Sequence, residues 1–539
     1  MNRFFSLVIL LVCFAPISAQ VRYWVQFKDK NNTPFSVANP KAFLTQKSLD
    51  RRAKQSISID QTDLPVNPQY ITILNTVYGI KVLYVSKWLN GALVRIDSLQ
   101  RLTAITNSIS ALPFVSSAKS ARKFKVSYAP VETLVEIKET NPSGRSSGVK
   151  ASEYGASKAQ VYQVGVNCMH EQGYKGDGMT IGVMDVGFNN VNTGSVFNAL
   201  RSRNGILGMR DFVDGDEDVY SGGDHGTYVL SCIAGFREGQ AMGTAPMAKF
   251  WLFRTEQGAS ETISEEYNWV RAAEYADSVG CDILTTSLGY TTFDNGNDHK
   301  YAELDGRTAP MSIAANMAAR KGLFVLNAAG NEGGSPWKYI AVAGDADSIC
   351  TVGAVDTLGV YADFSSVGPT ADGRIKPDLV ATGWNTVICN DNNCFYGSGT
   401  SFATPLMAGV AACLWQYRPG LTNMQLLSAL KSSANQSNNP NNKLGWGVPN
   451  LCKLMSASAD FELTAFELIN NQLSIELTYN LYQFIHYKII DLEGKIVANG
   501  TLDASKLQHK IYTGNLTSNM YVLKIETSIG NKNLKFVKH

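Results

Sequence analysis

Between about residues 155 and 455, short apolar runs alternate with stretches of helical periodicity, and this constrains the fold more than any other feature of the chain. The apolar runs are Thr180–Met184, Phe250–Phe253, Ile283–Thr286, Leu323–Leu326 and Cys350–Ala354. Between two of them, Glu261–Val279 places Ile263, Tyr267, Val270 and Ala273 on one face of a helix. Such alternation predicts an α/β domain: a parallel sheet with helices on both faces. Sheets of this kind bind ligands beyond the carboxyl ends of their strands.

The flanking regions read differently. Residues 20–127 read as a small α+β unit. Its expected strands are Tyr23–Phe27, Ile80–Val85, Ala92–Ile96 and Lys123–Val126, and its first helix is Ala42–Ala53. A second helix, capped by Ser98, carries Leu99, Leu102 and Ile105. Residues 128–154 form a linker, with Asn141-Pro142-Ser143-Gly144 as a turn signal and exposed, cleavable backbone around it. From 460 to 539, short alternating runs (Leu473–Leu477, His486–Ile490, Tyr521–Ile525) separated by Gly, Asn and Asp turns predict a small β-sandwich.

Residues 1–19 have the make-up of a targeting segment: Arg3, an apolar stretch from Phe4 to Phe14, and a small-residue cut site at Ile17-Ser18-Ala19. No other stretch reaches the roughly 18–20 apolar residues that span a bilayer. The expectation is an exported protein without a membrane span in its mature form. A net charge of +2 gives no reason to expect a nucleic-acid partner.

Export permits disulfides. Cys389 and Cys394 enclose Asn390-Asp391-Asn392-Asn393, a turn-forming loop that can bring the two thiols together. Cys232, Cys350 and Cys413 sit in apolar surroundings that suit free buried thiols. Metal-ligand spacing such as C-x-x-C is absent, so no metal residues are assigned.

Three strings carry chemistry. Ile181-Gly182-Val183-Met184-Asp185 ends a buried strand on a carboxylate. Gly223-Asp224-His225-Gly226-Thr227 puts an imidazole between small residues at a helix start. Gly397-Ser398-Gly399-Thr400-Ser401-Phe402-Ala403-Thr404-Pro405 leads into an apolar helix, Leu406–Trp415, with Pro405 suited to its first turn. Each string alone has an ordinary structural reading. The order Asp, His, Ser is what distinguishes them. An α/β-hydrolase would need serine first, inside G-x-S-x-G, and Ser401 comes last.

With these strings the chain resembles the subtilisin-like serine peptidases, the subtilases, over roughly residues 155–455. Ala328-Ala329-Gly330-Asn331-Glu332-Gly333 looks like the family's oxyanion segment, and Thr286-Ser287-Leu288-Gly289 resembles its substrate-binding strand. Ala381-Thr382-Gly383 departs from the usual Ala-Pro-Gly. The resemblance implies a secreted serine endopeptidase with Asp185, His225 and Ser401 as triad. It implies an oxyanion hole of Asn331 and the Ser401 N–H, and substrate contacts from Ser287, Leu288, Gly289, Ala328, Ala329 and Gly330. No cofactor is implied. Calcium is the one metal the resemblance admits, with the acidic loop Asp211–Asp218 as a source of oxygens.

Residues 20–127 resemble the family's propeptide, a folding chaperone and intramolecular inhibitor. Ser86-Lys87-Trp88-Leu89-Asn90 and Asp372-Gly373-Arg374-Ile375-Lys376-Pro377-Asp378 resemble the Bacteroidota branch. The C-terminal strings Asp491-Leu492-Glu493-Gly494-Lys495, Asn519-Met520-Tyr521-Val522-Leu523 and Lys535-Phe536-Val537-Lys538 resemble the sorting domain of the type IX secretion system. The implied partners are protein or peptide substrates, the propeptide and the secretion machinery. The implied location is outside the cell or on its surface, reached through the periplasm. Two rival readings use the same strings: a surface-binding protein that has lost turnover, and an esterase or peptide ligase.

Overall fold

The computed structural model describes residues 21–121, 135–136, 153–258, 263–291, 298–457, 463–469, 471–477, 485–503, 506, 508–527 and 530–538. The targeting segment 1–19, most of the 128–154 linker and the strand expected at Lys123–Val126 lie outside the described residues. The chain divides into two compact units. One comprises residues up to Phe35 together with Leu64–Lys123; the other comprises Ser36–Asp63 and everything from Phe124 onward.

The small unit is a four-stranded antiparallel sheet, in the order Ile80–Ser86, Gly91–Ile96, Val21–Phe27, Val115–Ala121. Its core is Val25, Phe27, Leu74, Val94, Ile105 and Ile109. The last strand was not read from the sequence: Val115–Ala121 contains two alanines and three serines and shows no apolar run. The second helix begins with a 3-10 turn at Leu99–Arg101, directly after Ser98, and turns α at Leu102, with Arg101 at the cap position of the α-helical part. The expected single α+β unit is also divided, because residues 36–63 belong to the large unit.

The large unit is built on a seven-stranded parallel sheet. Its strands are β1 Thr180–Asp185, β2 Ile206–Asp211, β3 Lys249–Arg254, β4 Ile283–Thr286, β5 Phe324–Ala328, β6 Cys350–Val355 and β7 Leu379–Thr382. They lie in the order β7-β6-β5-β4-β1-β3-β2. The five strands expected from apolar runs are all present. The two outer ones, β2 and β7, were missed. Only Asp211 of β2 is buried, since an edge strand has one covered flank. The helix expected at Glu261–Val279 runs Ile263–Val279 and buries Tyr267, Val270 and Ala273.

Hairpin Thr386–Cys389/Cys394–Gly397 is closed by the Cys389–Cys394 disulfide and feeds helix Thr400–Tyr417. Cys232, Cys281, Cys350 and Cys413 are buried and form no disulfide. A second bridge, Cys168–Cys452, spans 284 residues. Spacing could not announce it, because the partners flank the whole α/β body. Closing so long a loop restricts the unfolded chain. Replacing both cysteines with alanine, in a Ser401→Ala background to prevent autolysis, is expected to lower stability by about 2–5 kcal/mol. An unchanged thermal midpoint would show that the bridge contributes nothing.

The C-terminal region is a β-sandwich, as expected. A three-stranded sheet (Leu463–Ile469, Gln472–Leu477, Gln508–Tyr512) faces a four-stranded one (Ile485–Ile490, Ile496–Leu502, Asn519–Thr527, Gly530–Lys538). Leu473, Ile475 and Ile511 from the first share a core with Ile485, Ile489, Leu523 and Phe536 from the second. Among the described residues, no helix is long and apolar enough to cross a membrane.

Candidate active site

The carboxyl ends of β5, β4, β1 and β3 meet at one cleft, lined in turn by Ala328, Ser287, Val186 and Glu256. This is where a parallel sheet presents its ligand site. Asp185 is the last residue of β1 and is fully buried. His225 is the first residue of helix His225–Ala234. A Cβ on Gly226 would lie 2.3 Å from Gly187 O and 2.8 Å from Asp185 Cβ. Glycine at 226 is therefore what lets this helix start against the strand end.

The approach leaves His225 Nδ1 2.8 Å from Asp185 Oδ1. The same oxygen accepts the Val186 N–H at 2.8 Å, while Oδ2 meets no donor among the described residues. A carboxylate only accepts, so Nδ1 carries the proton and Nε2 is left as the basic nitrogen. The ring is a quarter exposed, lies 6.0 Å from the Phe402 ring, and lines the same cleft as Ser401.

Ser401 is the second residue of helix Thr400–Tyr417, in which every residue through Trp415 is buried. A helix apolar on all sides has to lie inside the molecule. Pro405 does not start this helix; it falls within it. Proline has no N–H to bond the carbonyl four residues back, and here that carbonyl belongs to Ser401. It accepts instead from Ser287 Oγ at 2.8 Å, and Ser401 Oγ donates to Ser287 O at 3.3 Å. The nucleophile candidate and the substrate-strand serine thus hold each other in place.

Asn331 stands three residues beyond β5. Its Oδ1 accepts from the Thr400 N–H at 2.9 Å and from Thr400 Oγ1 at 3.0 Å. Since the carbonyl end is fixed at the helix start, the Nδ2 protons are left for the cleft that Asn331 lines. The Ser401 N–H is one of the first-turn amides for which a helix has no internal acceptor.

Of the residues expected to touch substrate, Ser287, Leu288, Gly289, Ala328 and Gly330 line the cleft. Ala329 does not. It is fully buried, its N–H bonded to Val352 O and its carbonyl to the Ala341 N–H, because alternate residues of an extended chain face opposite ways. The cleft also includes Thr400, Ala341, Glu256 and Glu332, none of which was singled out from the sequence. Glu256 was within reach of the strand-end rule, and Glu332 follows Asn331 directly. Nothing in the sequence signals Ala341. Glu256 accepts from the Tyr290 hydroxyl. The cleft is thus lined by two carboxylates and by no lysine or arginine among the described residues.

In the Asp211–Asp218 loop, the expected source of calcium ligands, two carboxylates are already engaged. Asp211 Oδ2 and Asp214 Oδ2 pair with Arg254 Nη1 at 2.6 and 2.5 Å, and Asp211 Oδ1 accepts two backbone N–H groups.

The family model for subtilases matches residues 176–447, half of the chain. The model for the Bacteroidota peptidase S8 propeptide domain matches 22–136, and that for a secretion system C-terminal sorting domain matches 469–539. Among curated relatives, subtilisin NAT of Bacillus subtilis subsp. natto is 29% identical over 336 residues, covering 59% of this chain and 78% of the relative. Serine protease AprX of Bacillus subtilis (strain 168) is 29% identical over 291 residues, 48% of this chain and 62% of the relative. Subtilisin BL of Lederbergia lenta is 28% identical over 280 residues, 51% and 90%. With the α/β fold and the cleft above, the class is that of the serine peptidases. The chain belongs to the subtilase family. Its propeptide and sorting domain mark it as a peptidase made for export.

Proposed function

We propose that this subtilase is an endopeptidase that cuts peptide bonds through Asp185, His225 and Ser401 and is made as an inhibited precursor. The observation that carries the reading is the Asp185–His225 pair, at 2.8 Å, in the cleft that also holds Ser401.

Ser401 Oγ attacks the scissile carbonyl while His225 Nε2 takes its proton. The carbonyl oxygen becomes an oxyanion, held by the Asn331 amide and the Ser401 N–H at the positive end of its helix. Collapse breaks the C–N bond. His225 gives its proton to the leaving amine, and the acyl group stays on Ser401. Water, deprotonated by His225, then adds to the acyl carbon; the bond to Ser401 Oγ breaks, His225 returns the proton to that oxygen, and the acid leaves. Asp185 holds the imidazole and stabilises its charged form. Every step uses groups of the chain itself, and no cofactor enters.

Ser287–Gly289 and Ala328–Gly330 are the strands along which substrate backbone lies. In this reading 1–19 is the export signal and 20–127 the inhibitor. The cut falls in 128–154, 155–455 is the catalytic domain and 460–539 the sorting domain.

Labelling with a serine-directed fluorophosphonate is expected to modify Ser401; no label on the processed protein would favour a scaffold without turnover. Asn331→Ala is expected to lower kcat by about 10²–10³ with KM little changed, a magnitude measured on subtilisin itself and carried over here. A variant with unreduced kcat would remove Asn331 from the oxyanion site.

A further inference from the structure

Residues 36–63 fall within the propeptide match, yet they belong to the same compact unit as the catalytic domain. Their helix Gln46–Lys54 lies at the amino ends of the strands, opposite the cleft. Lys47, Arg51 and Gln55, spaced four apart and so on one helix face, each reach the amino end of a different strand. Lys47 Nζ bonds Thr180 Oγ1, at the first residue of β1, and pairs with Asp282 at 3.1 Å. Arg51 Nη1 donates to Cys281 O, just before β4, at 2.5 Å. Gln55 Nε2 donates to Gly322 O, just before β5, at 2.7 Å. In the sheet these three strands are neighbours.

The acceptor side is a buried acid at the end of a helix. Helix Ile263–Val279 has no basic residue in its last turn, and Asp277 places a negative charge at the negative end of its dipole. Residues 36–63 bring a backbone donor and two guanidinium groups to this helix end. The Thr45 N–H bonds Ser278 O at 3.0 Å. Arg51 Nη2 meets Asp277 Oδ1 at 2.5 Å, and Arg52 Nη2 bridges Asp277 Oδ2 and Asp63 Oδ1, both at 2.8 Å. Lys321 from the catalytic side closes the chain of charges on Asp63 at 3.0 Å. The Arg51, Arg52, Asp63, Asp277 and Lys321 side chains are all under 5% exposed. A Cβ on Gly280 would lie 2.8 Å from Lys47 Cβ, so the bare backbone there permits the seating.

We propose that residues 36–63 are a retention clamp. They hold the propeptide on the catalytic domain after the linker has been cut, through an ionic socket at the amino ends of the strands, opposite the catalytic cleft. This rests on the inhibited-precursor reading and adds to it: leaving the cleft does not free the propeptide, because Arg51 and Arg52 must also leave a buried carboxylate. A variant without the two arginines keeps the Asp277 charge buried in the complex while losing the guanidinium groups that face it, and this favours departure of the fragment.

The test uses the full precursor, allowed to cut itself, with propeptide release followed by size exclusion and mass spectrometry. The Arg51→Ala/Arg52→Ala precursor is expected to lose its fragment at least about a hundredfold faster than wild type. Gln55→Ala, which leaves every ion in place and removes hydrogen bonds to Gly322 O and from the Asn423 N–H, covers the case in which the double variant does not fold. It is expected to speed release by about tenfold. Normal self-cutting with wild-type release from Gln55→Ala, or from both variants, overturns the clamp alone. A wild-type precursor that never cuts itself overturns the reading beneath it.

Discussion

A Ser401→Ala precursor is expected to hydrolyse no peptide above background and to remain uncut when purified alone. The expected loss is about 10⁶ in turnover, a scale measured on subtilisin and transferred to this relative. Alanine removes only the hydroxyl. The Ser401 carbonyl keeps its bond from Ser287 Oγ, so the helix start should stay in place and the loss should fall on chemistry rather than folding. Two readouts are needed: kcat on a short chromogenic peptide, and the mass of the purified chain. An alanine variant that still matures in isolation would mean that Ser401 does not perform the cut.

The second large effect is expected at Asp185. Asp185→Asn should lower kcat by about 10⁴ at neutral pH, with KM nearly unchanged. The change is almost isosteric, and the Val186 N–H still has an oxygen to bond. What is lost is the charge facing the imidazolium that forms when Ser401 gives up its proton. Among the described residues Oδ2 is buried and meets no donor, so the positive ring that forms at His225, bonded to Oδ1, is the group placed to balance this carboxylate. Activity within tenfold of wild type would leave Asp185 as a strand-end residue and nothing more.

The interior of the α/β domain was legible because continuous apolar runs admit few placements. The edges were not. β2 is only partly covered and so is not distinctly apolar, and the small-residue strand Val115–Ala121 carries no pattern. The triad candidates were legible through their order along the chain, and their meeting depended on Gly226, whose role appears only once two backbones touch. Pro405 was misplaced for a related reason. A proline normally marks a first turn, but here a side chain from another strand takes up the carbonyl it leaves free. Nothing in the sequence marks Arg51 and Arg52, because their partner Asp277 lies more than two hundred residues away.

The Cys168–Cys452 bridge has a consequence for a peptidase that carries a leading and a trailing segment. Its two sulfurs sit just inside the borders where the leading and trailing segments join the enzyme. Shears applied outside that hoop, at either end, leave the enclosed polymer a closed ring. A molecule bathed in its own activity has no loose thread at its frontier from which to unravel.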